Sequence, residues 1–134
     1  MSATTTWKCP NDGLVWDRSK YRKCPTCGYA NMPACVALVS AKTGKTAELG
    51  TNTPLGRDAL KQKFGDDEAR FADPVQFEIV KDTEAAVWWL RPNGGAVNPT
   101  HYNGRRVPEG GCELTADGVI TVGKSKMKLT VRFT

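Results

Sequence analysis

NPTHYNG, residues 98–104, gathers two asparagines, a proline and a glycine into seven positions between segments that read as strands. Asn103-Gly104 supplies the positive backbone dihedrals of a tight hairpin turn, and asparagine side chains readily hydrogen-bond nearby backbone. The stretch is therefore expected to be an internally braced loop between the strand AAVWWLR (85–91) and a short element RRV (105–107). Outward from it lie ACVALVS (34–40), KTAEL (45–49), VQFEIVK (75–81), GCELT (111–115), GVITVG (118–123) and MKLTVRF (127–133). Each is short, rich in apolar or β-branched residues and bounded by Gly, Asn, Asp or Pro, which predicts an all-β antiparallel sandwich or barrel.

RDALKQKF (57–64) reads as a surface loop with a helical turn, because it is at most two turns long and runs into GDDE (65–68). The DDE triplet reads as a solvated loop tip. GKT at 44–46 belongs to a hairpin turn, since Val39 stands where the first glycine of a phosphate-binding loop is needed. Trp88 and Trp89 alternate on a strand, so one is expected in the core and the other over an edge or against the N-terminal segment. Cys112 reads as a small buried residue.

A chain of 134 residues with 40% hydrophobic content has material for one core and a small appendage. The net charge is +5, and residues 1–35 carry +3 of it. No apolar leader precedes Trp7, and the longest apolar runs, AAVWWL and ACVALV, are six residues each, too short to span a bilayer. These signals predict a protein without a membrane partner. Five cysteines, four of them within residues 9–35, fit a metal site in a reducing compartment better than a disulfide framework, so the expected location is the cytoplasm.

KCPTCGY (23–29) has the Cys-Pro-x-Cys-Gly form of a zinc knuckle, in which a turn aims two thiolates at one ion. Fourteen residues separate Cys9 from Cys24, and KCPNDG (8–13) repeats the turn with Asp12 in place of the second thiolate. Residues 1–33 thus read as a small zinc ribbon whose fourth ligand has changed, and residues 34–134 as the sandwich. Cys9, Asp12, Cys24 and Cys27 form the expected ligand set for a structural Zn²⁺, with Cys35 as the alternative to Asp12. Knuckle spacing favours Asp12; ligand softness favours Cys35. Three sulfur ligands suppress Lewis acidity and no His or Glu lies nearby, so the site is not read as catalytic.

The segment from Cys35 to Thr134 resembles a forkhead-associated (FHA) domain. Leu55-Gly56-Arg57, DPVQFEIV (73–80), NPTHYNG and LTADGVITVG (114–123) match, in order, the family's leucine-glycine-arginine, serine-arginine-x-histidine, asparagine-glycine-threonine-x-x-asparagine-glycine and closing strand motifs. The resemblance implies an eleven-stranded β-sandwich whose end loops bind a phosphothreonine peptide. It makes Arg57 the phosphate-binding guanidinium and Asn98 the amide that holds the peptide backbone, with Asn103 and Gly104 bracing the loop. His101, the chain's one histidine, is placed at the surface or against a bound peptide.

The chain departs from the pattern at Asp73 for serine, Pro74 for the next residue, Gln76 for histidine and Val97 before the loop asparagine. No Ser or Thr occurs from 57 to 82, so no shift of register restores the hydroxyl. A carboxylate at 73 is expected to repel a phosphate dianion and to form an ion pair with Arg57. The resulting reading is a non-catalytic interaction adaptor in a Ser/Thr phosphorylation system, with a degenerate phosphothreonine pocket and a protein partner. The second reading is a nucleic-acid-binding ribbon on a passive sandwich, carried by Trp7, Trp16, Tyr21 and Tyr29 among basic residues.

Overall fold

Period-two burial runs through the strands. VQFEIVK buries Phe77 and Ile79 and leaves Glu78 and Val80 half-exposed; MKLTVRF buries Met127, Leu129 and Val131. In the computed structural model, which describes residues 6–9, 11–17, 23–28, 33–83 and 85–133, these segments pair in three antiparallel sheets. The elements are β1 (Thr6–Lys8), β2 (Val15–Asp17), β3 (Val36–Ser40), β4 (Thr46–Leu49), β5 (Thr53–Leu55), α1 (Arg57–Phe64), β6 (Phe77–Asp82), β7 (Val87–Pro92), β8 (Thr100–Tyr102), β9 (Arg105–Arg106), β10 (Cys112–Glu113), β11 (Val119–Val122) and β12 (Lys128–Phe133).

One sheet of the sandwich has the order β10-β7-β6-β5 and the other β4-β3-β12-β11-β8-β9. Together they hold ten strands among the described residues, not the eleven that the resemblance implied. Val36, Leu38, Ile120, Val122, Leu129 and Val131 from the larger sheet meet Leu55, Phe77, Ile79, Trp88 and Leu90 from the smaller one in a single core. Burial of each such side chain stabilises the fold by about 1.5–3 kcal/mol before ordering costs. No helix among the described residues is long and apolar enough to cross a membrane.

Three local expectations are corrected. RDALKQKF is a helix of eight residues, because Leu60 and Phe64, four apart, both bury in the core and Gly65 ends the helix in the left-handed region at φ 62°. The DDE triplet is not a solvated tip: Asp66 is buried and its Oδ1 caps the 3₁₀ turn Asp67–Phe71 by accepting from Glu68 N at 2.9 Å, with Lys42 Nζ 3.6 Å away. NPTHYNG is a loop only at its ends, since Thr100–Tyr102 join the larger sheet as β8. Its turn is as expected, with φ 52° at Asn103 and 82° at Gly104. Asn103 Oδ1 accepts from Val119 N at 2.8 Å, which ties the β8–β9 hairpin to β11.

Both tryptophans behave as alternation requires. Trp88 lies in the core and donates its Nε1–H to Pro33 O at 3.0 Å, fastening the connection from the N-terminal segment to the sandwich. Trp89, half-buried, donates to Gly110 O at 2.9 Å. Cys112 is half-buried on β10, where burial raises its thiol above the ordinary value.

Candidate functional site

The turn from β5 into α1 runs against the backbone of Asp73 and Pro74. A methyl group on Gly56 would stand 1.7 Å from Pro74 O, so position 56 admits glycine alone. This contact seats Arg57: its N–H donates to Asp73 O and its Nε–H to Ala72 O, both at 2.9 Å. The residue is exposed, and its terminal guanidinium nitrogens have no partner among the described residues.

Asn98 approaches the same segment from the other side. Its Nδ2 donates to Phe71 O at 2.6 Å, and its backbone N–H donates to Asp73 Oδ2 at 2.9 Å. Gly123 N donates to Pro99 O at 2.8 Å, and a methyl on Gly123 would stand 3.1 Å from Asn98 Cβ, so the β11–β12 loop packs directly behind. Arg57, Asp73 and Asn98 are thus brought together around residues 71–73.

The expected Arg57–Asp73 ion pair does not form. Asp73 turns its carboxylate to the Asn98 N–H, and Arg57 turns its Nε to a carbonyl. A half-buried backbone N–H left without an acceptor costs about 1–3 kcal/mol, more than a solvent-screened surface ion pair returns, and that ordering explains the choice.

Gln76 is the residue whose role the sequence did not disclose. It is fully buried; its Nε2 donates to Asn98 O at 2.6 Å and to Thr100 Oγ1 at 2.9 Å, while its Oε1 accepts from Asp73 N at 2.9 Å. It therefore locks the Asp73 and Asn98 loops together from the position where the resembled pattern has histidine. The available signal was a polar residue opening the apolar run QFEIV. His101 lies outside this group: on β8 it alternates with the inward Thr100 and pairs across the hairpin with Arg106.

The second cluster lies in the N-terminal segment. One ligand atom each from Cys9, Asp12, Cys24 and Cys27 falls within 4.8 Å of the others. Cys9 Sγ is 3.5 Å from Cys27 Sγ, and Cys24 Sγ is 3.3 Å from Asp12 Oδ2. Tetrahedral zinc with sulfur at about 2.3 Å needs sulfur-to-sulfur edges of about 3.8 Å, so the donor set fits that ion. Cys35, half-buried in the residue before β3, is not a member.

Supporting groups surround the donors. Asn11 N donates to Cys9 Sγ at 3.4 Å, Leu14 N to Asp12 Oδ1 at 2.9 Å, and the Thr26 hydroxyl bridges Cys24 Sγ and Asp12 Oδ2. Without a cation, burial lifts the Cys9 thiol to about 11, and the Thr26 hydroxyl, with lesser help from the Leu14 amide, holds Asp12 well below the usual carboxylate range. Burial works against the Cys24 thiolate, yet Thr26 and the backbone amides of Cys27 and Thr26 bring it below the ordinary thiol value. Among the described residues, the apolar content of this segment is a cluster of Cys9, Trp16 and Cys24 with Leu14 against it, too small by itself to offset the ordering of its turns. Trp16 is buried there and offers no open face for stacking a base. Arg18, Lys20, Tyr21, Arg22, Tyr29 and the side chain of Trp7 lie outside the described residues.

The sandwich has the fold of FHA domains. No family model and no curated protein sequence matches the chain. Among solved structures, it is similar to the FHA domain of an Arabidopsis thaliana hypothetical protein, with TM-score 0.62 and 17% identity over 77% of this chain and 87% of that one. It is also similar to the FhaA FHA domain complexed with an intracellular domain of another protein, with TM-score 0.56 and 25% identity over 72% and 99%. An N-terminal FHA domain from S. cerevisiae, solved with a phosphothreonine peptide, aligns with TM-score 0.59 and 16% identity over 75% and 94%.

Proposed function

We propose that the protein is a non-catalytic interaction adaptor whose loops at Arg57 and Asn98 take a threonine-phosphorylated segment of a partner protein. One observation carries this reading: Arg57 is anchored through Nε to Ala72 O, which leaves both terminal nitrogens to face an incoming anion beside Asn98. A guanidinium held in this way meets a phosphate with two parallel hydrogen bonds and little loss of side-chain freedom. Asn98 Nδ2 is committed to Phe71 O, so its Oδ1 is the atom that would accept a peptide N–H. The S. cerevisiae domain of the same fold, crystallised with a phosphothreonine peptide, lends support.

Asp73 sets the strength of the interaction. Its carboxylate stands where the resembled pattern has a donor hydroxyl, and its charge works against a dianion even while it accepts from Asn98 N. Binding is therefore weak compared with a pocket that has serine at this place. The N-terminal segment, residues 1–33, is a zinc-held module in front of the sandwich, residues 34–134. Cys9, Asp12, Cys24 and Cys27 would hold Zn²⁺, which supplies the cross-link that the small apolar cluster lacks.

Calorimetry with paired phosphorylated and unphosphorylated threonine peptides, on wild type and Arg57→Ala, tests the reading. Phosphate-dependent heat that disappears in Arg57→Ala is expected. Equal heats with both peptides, or none with either, would end it.

A further inference from the structure

The 3₁₀ turn Asp67–Phe71 leads into the carbonyls that hold Arg57 and Asn98, and near its N-terminal end it has a second attachment. Glu68 O accepts from the Ser125 hydroxyl at 2.9 Å, and Glu68 Oε1 accepts from Lys126 N at 2.8 Å. Ser125 is buried, and its oxygen also accepts from Met127 N at 3.1 Å, so its one hydrogen is committed to Glu68. The Glu68 side chain is 16% exposed, with Arg70 Nη2 3.8 Å from its other carboxylate oxygen. A 3₁₀ turn of five residues has poor hydrogen-bond geometry of its own, so ties from outside decide how its carbonyls point.

These bonds close a ring. It passes from Phe71 O to Asn98 Nδ2, along the chain to Pro99, and from Pro99 O to Gly123 N. From there it follows the β11–β12 loop to Ser125, whose hydroxyl returns it to Glu68 in the turn where it began. Arg57 is attached to this ring at the next two carbonyls, through Nε to Ala72 O and through its backbone N–H to Asp73 O. With Glu68 released, the turn keeps its Asp66 cap, but the carbonyls that aim the guanidinium and the amide lose their tie to the β11–β12 loop.

We infer that Glu68 and Ser125 are positioning residues for the Arg57 site. The latch between them keeps Phe71 O and Ala72 O in the orientation that presents the guanidinium and the Asn98 amide to a phosphothreonine peptide. Both residues act through the turn and not on the ligand. This rests on the phosphothreonine reading of Arg57 and adds to it a determinant of affinity on the β11–β12 loop.

The test joins two readouts on the full-length chain. One is calorimetry with paired phosphorylated and unphosphorylated threonine peptide libraries. The other is the NMR signal of the Arg57 Nε–H in the free protein, whose exchange with water reports the bond to Ala72 O. Glu68→Ala and Ser125→Ala are each expected to weaken phosphate-dependent binding about fivefold and to speed that exchange. Glu68→Gln, which keeps an oxygen for Lys126 N, should stay within about twofold of wild type. Thr43→Ala is the folding control: Thr43 is bonded as Ser125 is, donating to Phe64 O at 2.7 Å and accepting from Lys45 N at 3.3 Å, but lies outside the ring. It should lower the melting temperature as much as Ser125→Ala does and keep both the affinity and the Arg57 signal. Wild-type affinity in Glu68→Ala, an Arg57 Nε–H indifferent to that change, no recovery in Glu68→Gln, or equal losses of affinity in Thr43→Ala and Ser125→Ala would each overturn the latch and leave the Arg57 reading standing. A wild-type chain without phosphate-dependent binding would remove both.

Discussion

Arg57 and Asn98, forty-one positions apart in the chain, hold adjacent carbonyls of one segment: Arg57 Nε bonds Ala72 O at 2.9 Å and Asn98 Nδ2 bonds Phe71 O at 2.6 Å. The segment between them is a shared strut, and each side chain is oriented by a bond to backbone that a bound peptide need not break. The guanidinium is exposed while the amide is half-buried, so the two differ in what their removal does.

Arg57→Ala is expected to abolish phosphate-dependent binding while costing about 1 kcal/mol or less of stability. Arg57→Lys should recover little, because an ammonium cannot make the paired bonds and cannot reproduce the Nε anchor. Asn98→Ala is expected to weaken binding and also to destabilise the fold by about 1–2 kcal/mol, since Phe71 O loses its donor. Urea denaturation beside calorimetry separates the two effects.

Asp73→Ser should raise affinity for a phosphothreonine peptide by about tenfold, by removing a carboxylate and offering a hydroxyl. The same change frees the Asn98 N–H and is expected to cost about 1 kcal/mol or more. Asp73→Asn, which retains an acceptor for that N–H, should gain affinity with a smaller stability loss. An unchanged affinity in both variants would show that the carboxylate does not face the ligand.

Gln76→Leu removes the donor to Asn98 O and the acceptor for Asp73 N in a buried position. A loss of about 2–3 kcal/mol is expected, roughly 6–10 °C in Tm. Peptide affinity should fall along with it, because the loops that carry Asp73 and Asn98 lose their common tie. Hydrogen exchange at the Asp73 and Asn98 amides reads this directly.

Purified chain is expected to hold one zinc, measured by elemental analysis. Chelation should unfold the N-terminal segment, seen in the emission of Trp16, which packs on Cys9 and Cys24, while the sandwich retains its own melting transition. Asp12→Cys should bind zinc more tightly, Asp12→Ala more weakly, and Cys35→Ser equally well. Zinc loss in Cys35→Ser alone would assign the fourth ligand to Cys35.

Local chemistry made much of this molecule legible beforehand. Alternation located the strands, Asn103-Gly104 marked its hairpin, and the spacing of Cys9, Asp12, Cys24 and Cys27 picked out the four residues that come within 4.8 Å of one another. Such features depend on neighbours a few positions away or on paired knuckles of one form, and periodicity carries them. RDALKQKF was misread because its helicity comes from burying Leu60 and Phe64 against the sheets, a contribution that eight residues in isolation do not contain. Tertiary structure alone settled where Asp73 turns and that Gln76 joins the two loops. Both depend on Asn98, twenty-two or more residues from Asp73 and Gln76, and are decided by which backbone groups lose water when the loops close.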